Sequence, residues 1–332
     1  MELRKLTGLR PQTYEHPLDA QTLNLLENTT GLDTVVRKCN EWGFERILRV
    51  QLTGSHLRVT ADNFPDIHDM VTKACEVLDL PVRPEVYIAA GGDINAFTAG
   101  VERTLVVLNA GAIDHLSDDE LFFVIAHELG HIKSGHILYY QIAEFLPVIG
   151  EIVGAATFGI GELLGAGLQM ALLKWKRMSE LTADRAGLLA CQDANVAITA
   201  MMKIAGLPSK YYASMNPEDF IAQAREFTSL DLEKLNWFAK WLGTVGQSHP
   251  WTVLRASEFL SWIDSGGYEN ALSFPMGTIV PPQLTGARVF CTQCGCALRG
   301  DEKFCSRCGA ATAKPVVTPL AQNGPQNGPQ LQ

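Results

Sequence analysis

The segment His127-Glu128-Leu129-Gly130-His131 constrains this chain more than any other. Read as helix, it sets two imidazoles at i and i+4, one turn apart on one face, where both can reach a single tetrahedral ion. The helical reading has independent support. Ser117 and Glu120 have the spacing of a capping box, Asp118 and Asp119 suit the positive end of the helix dipole, and an apolar run from Leu121 to Ala126 leads into His127. Glu128 sits beside the first histidine and can contact a metal-held water without taking a coordination site. Zinc brings the pKa of such a water down to about 7, and a carboxylate can take its proton and pass it to a leaving amine. An ordinary helix carrying two exposed histidines and a glutamate would read the same, but the cap and the apolar approach argue against it.

A catalytic zinc takes three protein ligands and keeps a fourth position open. The third ligand must come from elsewhere, so a second helix has to fold back onto the first. Glu180, within Ser179-Glu180-Leu181-Thr182-Ala183-Asp184-Arg185-Ala186-Gly187, is the best candidate, and Asp184 shares its helical face. One of the pair can ligate while the other accepts a hydrogen bond from the far nitrogen of a ligand histidine. A solvated acidic face is the usual fate of such a pair, but here small residues flank it. The expectation is a site of two histidines and a glutamate, His127, His131 and Glu180. His115 and His136 are left over. A helical position five residues past His131 swings His136 off the ligand face, which makes it a solvent or packing histidine.

Among the 332 residues, 47% are hydrophobic, enough for a sizeable core, and the formal net charge of −9 excludes a generic nucleic-acid surface. The opening MELRKLTGLRPQTYEHPLD has charges and a proline where an apolar signal region would stand, so the expected location is cytoplasmic and reducing. There, cysteine spacing points to metal before disulfides. Cys39, Cys75 and Cys191 lie in apolar contexts and read as small buried hydrophobes. Cys291-x-x-Cys294 and Cys305-x-x-Cys308, each pair followed by a glycine, are spaced as the two knuckles of a zinc ribbon. Cys296 is a free thiol or a stand-in ligand, and a redox role for the pairs is the alternative. Zinc would fold so small a module. Asp301 and Glu302 offset Arg288, Arg299, Lys303 and Arg307, so a protein partner is the better expectation for it.

The fold class expected is α+β, mainly helical, with a small sheet. An N-terminal α/β segment over 1–80 packs on a metallopeptidase domain over 81–274, followed by a Pro/Gly linker over 275–287, the ribbon over 288–312 and a disordered tail over 313–332. Strands are expected from Val86 to Ala90 and from Thr104 to Asn109, and a second helix from about Lys174 to Ala190.

Over roughly residues 14–265 the chain resembles the zinc peptidase family that contains HtpX and the CAAX prenyl endopeptidases. His127-Glu128-Leu129-Gly130-His131 followed by Glu180-x-x-x-Asp184 carries the likeness, with Asn95-Ala96-Phe97 ahead of the helix and His249-Pro250 and Arg255 after it. The resemblance implies a gluzincin fold, Glu180 as third ligand and Asp184 buttressing a ligand histidine. It implies an edge strand near Asn95, Ala96 and Phe97 that pairs with extended substrate. It also implies that His249 and Arg255 lie close enough to the metal to steady a tetrahedral oxyanion. Without it, those two read as a His-Pro turn and a surface arginine.

Many members of that family are integral to membranes. Residues 145–173 are apolar and Gly-rich, with Glu151 and Glu162 their only charges, and Lys174-Trp175-Lys176-Arg177 resembles an interfacial anchor. One crossing would put His131 and Glu180 on opposite sides of the bilayer, and two need about 40 apolar residues. Two readings stay open: a helical hairpin packed on the catalytic core, or a shallow flap giving peripheral membrane association. The leading functional expectation is a zinc-dependent metalloendopeptidase acting on protein or peptide substrates, with one catalytic and one structural zinc. A metal-retaining interaction scaffold working through the ribbon is the alternative. A hydrolase of small amides is a third reading, disfavoured by the strand-like segment at Asn95.

Overall fold

The computed structural model describes residues 3–29, 32, 35–36, 43–101, 103–143, 160–229, 251–273, 303–305, 309 and 311. Four strands, β1 (Leu57–Arg58), β2 (Glu85–Ala89), β3 (Ala96–Ala99) and β4 (Leu105–Asn109), form one mixed sheet in the order β1-β2-β4-β3. β2 and β4 are parallel, with Val86 opposite Val106, while β3 runs antiparallel to β4, with Thr98 opposite Val106. The two central strands are nearly all apolar because both their faces are covered. Val86, Ile88, Val106 and Leu108 enter the main core, whereas Tyr87, Ala89, Leu105 and Val107 pack with Leu52 on the opposite face. The expected strands therefore form within a residue of their predicted ends, and β3 is the edge strand implied near Asn95.

The helices are α1 (Pro11–Tyr14), α2 (Pro17–Glu27), α3 (Phe44–Ser55), α4 (Pro65–Val77), α5 (Ala110–His115), α6 (Asp118–Ser134), α7 (Ile160–Cys191), α8 (Ala194–Ile204), α9 (Pro217–Ser229), α10 (Thr252–Asp264) and α11 (Gly267–Ser273). Residues 137–143 are helical as well. The chain is thus mainly helical α+β. Leu6, Leu9, Tyr14 and Val59, all before residue 80, share the main core with α6 and α8.

α6 starts as its sequence dictates. Glu120 N–H donates to Ser117 Oγ at 3.4 Å, and Ser117 N–H returns a bond to Glu120 Oε2 at 2.8 Å. It stops at Gly135, whose φ of 76° few other residues tolerate. There His136 N–H bonds His131 O at 3.0 Å and Gly135 N–H bonds Ile132 O at 3.1 Å, the paired bonds of a Schellman motif. α7 is longer than expected. Its start at Ile160, not Lys174, corrects the sequence reading: the glycines of this stretch do not break it, because Leu168 and Leu172 are held in a second core cluster with Trp175, Tyr139 and Ile142. Among the described residues no helix is long and apolar enough to cross a membrane.

α6 and α7 pack closely because both carry small residues where they meet. A Cβ on Gly130 would stand 2.6 Å from Ala186 Cβ and 3.3 Å from Ala183 Cα, so the helices could not approach this closely with a larger residue at 130. That approach brings the two motifs together.

Candidate metal centre

His127 and His131 leave α6 towards α7, where Glu180 and Asp184 leave α7 one turn apart to meet them, while Glu128 between the histidines turns to β3. All five are buried. His127 Nε2 lies 3.4 Å from Glu180 Oε2, and His131 Nε2 lies 3.6 Å from Glu180 Oε1. One ligand atom from each of the three residues falls within 4.8 Å of the others. Tetrahedral ligands about 2.1 Å from a zinc ion stand about 3.4 Å apart, so this donor set fits such an ion.

Each ligand is held from behind. His127 Nδ1 is 3.0 Å from Asp184 Oδ1, and Arg255 on α10 clamps Asp184 with Nη2 at 2.5 Å and Nε at 2.8 Å. Arg255 Nη1 comes within 3.5 Å of Glu180 Oε2. Burial alone would raise the Asp184 carboxyl, but the charge and hydrogen bonds of Arg255, together with His127, outweigh it and hold Asp184 below the usual carboxylate range. Burial likewise works against a charged His127, yet Asp184 and Glu180 prevail and raise its imidazole to about 9 in the metal-free protein. His131 goes the other way, lowered chiefly by burial. Glu180 Oε1 accepts from Tyr140 OH at 2.6 Å, and the Tyr140 hydroxyl is pushed up by burial and by Glu180.

Glu128 does not join the ligands. Its Oε2 accepts a 2.5 Å hydrogen bond from Thr98 Oγ1, which ties the carboxylate to the edge strand β3. Of the residues expected to bind substrate, Ala96 and Phe97 lie on β3, and Asn95 precedes it with its carbonyl accepting from Asn109 N–H at 2.9 Å. Phe97 is 40% exposed. Arg255 is fully inside the site. His249 lies outside the described residues, as do Cys291, Cys294 and Cys308. Cys305 is described and buried, with Gly309 N–H bonding its carbonyl at 2.8 Å and Gly309 itself at φ 67°, the left-handed turn a knuckle glycine supplies. The neighbouring Phe304 enters the second core cluster, and Lys303 Nζ bonds the Glu27 carbonyl at 2.6 Å. Cys75 and Cys191 are buried, as expected, and burial pushes their thiols up to about 11 and 12.

Sequence reasoning missed Thr98, Tyr140, His136, Asp19 and Trp175. For His136 the signal was present and misapplied: the helical periodicity that moved it off the ligand face ends at Gly135. The Schellman turn instead folds His136 back over the last turn of α6, with its Nδ1 at 2.9 Å from His131 Nδ1.

Two histidines a turn apart, a glutamate from a second helix and a carboxylate beside the first histidine define a metallopeptidase centre. Residues 61–263 match the family described as Peptidase family M48, and the chain belongs to that family. It is 31% identical over 261 residues to the chloroplastic plastoglobule-localized metallopeptidase 48 of Arabidopsis thaliana, covering 78% of this chain and 74% of that protein. Protease HtpX homolog 2 of Methanosarcina acetivorans is 32% identical over 178 residues, 47% of this chain and 60% of that protein. Protease HtpX of Xylella fastidiosa is 31% identical over 93 residues, 26% of this chain and 32% of that protein. No solved structure matches the chain.

Proposed function

We propose that this metallopeptidase is a zinc-dependent endopeptidase with Glu128 as its general base. The observation that carries the reading is the buried His127/His131/Glu180 triangle, with Glu128 adjoining it and an edge strand alongside. Bound zinc supplies Lewis acidity, polarising a carbonyl and bringing water into a reactive range of pKa. Thr98 orients the Glu128 carboxylate, which takes a proton from the attacking water and delivers it to the leaving amine. β3, the edge strand of the sheet among the described residues, offers its outer side to an extended peptide, with Asn95, Ala96 and Phe97 at the entry. Asp184 fixes His127, and Arg255 fixes Asp184. Arg255 Nη1, turned towards Glu180, is the part of that side chain placed to add positive charge where an oxyanion develops, with His249 as its proposed companion.

A second zinc held by Cys291, Cys294, Cys305 and Cys308 would make the C-terminal module a structural appendage, a reading the Cys305–Gly309 turn supports. Its docking on Glu27 through Lys303 favours contact with protein, its own chain included. For the part of residues 145–173 that is described, burial of Leu168 and Leu172 supports packing on the core over a membrane flap.

Unfolded casein with and without chelator tests the reading. Wild type should cleave it only with metal, and Glu128→Gln should keep zinc while kcat falls about 10²- to 10⁴-fold. Near-normal cleavage by Glu128→Gln overturns the mechanism, and a wild type that retains metal but cleaves nothing favours the scaffold reading. Metal analysis should return two zinc ions, with His131→Ala and Cys305→Ser each removing one.

A further inference from the structure

We infer that His136 and Asp19 form a relay that positions the metal ligand His131, so that the N-terminal helix α2 is part of the metal centre. The inference rests on the reading of His127, His131 and Glu180 as metal ligands.

The proton count on His131 fixes the direction of the relay. His131 turns Nε2 towards Glu180, so a neutral ligating imidazole carries its proton on Nδ1. That proton points at His136 Nδ1, 2.9 Å away, which must accept it. His136 then carries its own proton on Nε2, and Nε2 lies 3.1 Å from Asp19 Oδ2. This last approach is within ion-pair distance but bent away from good hydrogen-bond geometry, so its contribution is chiefly electrostatic.

Asp19 is itself fixed. Trp175 Nε1 donates to Oδ1 at 3.0 Å, and Thr182 Oγ1 donates to Oδ2 at 2.5 Å. The Trp175 ring also stands edge-on to His136, with centroids 5.5 Å apart. His136, Asp19, Trp175 and Thr182 are each 1% exposed or less. A buried carboxylate and a buried imidazole are costly to keep unless they are paired and hydrogen-bonded, so both must be committed to fixed partners. What they face is the outer nitrogen of a ligand. Such outer partners set ring orientation and raise ligand basicity, and their loss typically costs about 10- to 100-fold in metal affinity. Asp19 precedes the stretch matched by the family, residues 61–263, so this half of the brace comes from outside it.

The test is zinc affinity of the full chain by chelator competition, together with the visible spectrum of the cobalt-substituted protein and the melting temperature of the metal-free form. His136→Leu should weaken zinc about 10- to 100-fold and shift the cobalt bands, beyond any change in metal-free stability. His136→Asn places an amide oxygen near the lost Nδ1 and should restore most of the affinity. Asp19→Asn should cost less, and in the His136→Leu background it should cost nothing further, because it acts through His136. The relay is overturned if His136→Leu binds zinc within twofold of wild type, if His136→Asn is as weak as His136→Leu, or if the Asp19→Asn loss adds in full. A wild type that takes up no zinc at His127/His131/Glu180 overturns the site itself. Intact zinc binding that is lost in His131→Ala but indifferent to His136 and Asp19 overturns the relay alone.

Discussion

His127 and His131 leave the same helix a turn apart, but their outer nitrogens meet different chemistry. His127 Nδ1 faces the Asp184 carboxylate at 3.0 Å, with Arg255 clamped behind it. His131 Nδ1 faces another imidazole at 2.9 Å, and the carboxylate stands one residue further out, at Asp19. The first brace is an ion pair built by α7 and α10, inside the family stretch. The second is a neutral contact made by a helix-ending turn and completed by α2. One zinc site is thus held by a stiff, charged support on one side and a longer relay on the other.

Breaking the charged brace should have the largest effect. Arg255→Met leaves Asp184 and Glu180 as adjoining buried carboxylates with only His127, among the described residues, to offset them in the metal-free protein, and removing one partner of a buried pair costs about 3–5 kcal/mol. The metal-free protein should melt much lower, and zinc should recover part of the loss by neutralising the same carboxylates. Thermal denaturation with and without zinc measures both. An unchanged metal-free melt would show that the clamp does not hold this side together.

Asp184→Asn keeps the shape and removes the charge. It should lower zinc affinity about 10- to 100-fold, measured by chelator competition. The loss should exceed that of Asp19→Asn, because Asp184 touches its histidine directly and Asp19 acts at one remove. Equal losses would erase the distinction between the two supports.

These two sides were not equally legible in the sequence. Glu180 and Asp184 stand at i and i+4 on a helix, so periodicity placed both on one face, and the small residues around them with the need for a third ligand pointed that face at α6. The capping box at Ser117 and the apolar strands β2 and β4 were readable for the same reason: their signals are local. Asp19 is far from His131 in the chain, and nothing near it marks it as other than a first-turn acid of α2. His136 was hidden because the fold departs from helix at Gly135, so the period stops applying one residue too soon. Arg255 reads as a surface residue from its neighbours alone, and only the family resemblance placed it near the metal, since only tertiary packing puts a guanidinium against Asp184. The start of α7 was misplaced because glycines that weaken an isolated helix are overridden when its leucines pack.

Gly130→Ala tests what both braces share. The added methyl would meet Ala186 Cβ at 2.6 Å and push α7 from α6, moving Glu180 and Asp184 together. Overpacking costs about 1–3 kcal/mol, and the better helix propensity of alanine returns about 1. Zinc affinity should fall with stability, and Ala186→Gly should rescue both by making room. Failure of that rescue would mean that the close approach of the helices does not set the ligand geometry.

The smallest effect at the metal should come from the far end of α6, where Glu120 supports both histidines alike. Glu120 Oε2 accepts from Ser117 N–H at 2.8 Å and from Lys203 Nζ at 2.6 Å. Burial raises its carboxyl, but these donors, Lys203 foremost, outweigh burial and leave its pKa below the ordinary carboxylate value. A group whose pKa is lower in the folded state adds stability above its unfolded value, about 4.3, and loses it as pH falls through the folded value. Glu120→Gln should therefore destabilise the protein at neutral pH by about 1–2 kcal/mol, and the melting curves of variant and wild type should converge on acidification. Zinc affinity at neutral pH should hardly change, because the helix is anchored near the ligands by Gly135 and by its contact with α7. A stability gap that persists unchanged once the folded carboxyl is fully protonated would assign the cap's contribution to shape and not to charge. A large loss of zinc would mean that α6 transmits strain along its length, and the two braces could no longer be treated as acting at separate ends of one rigid helix turn.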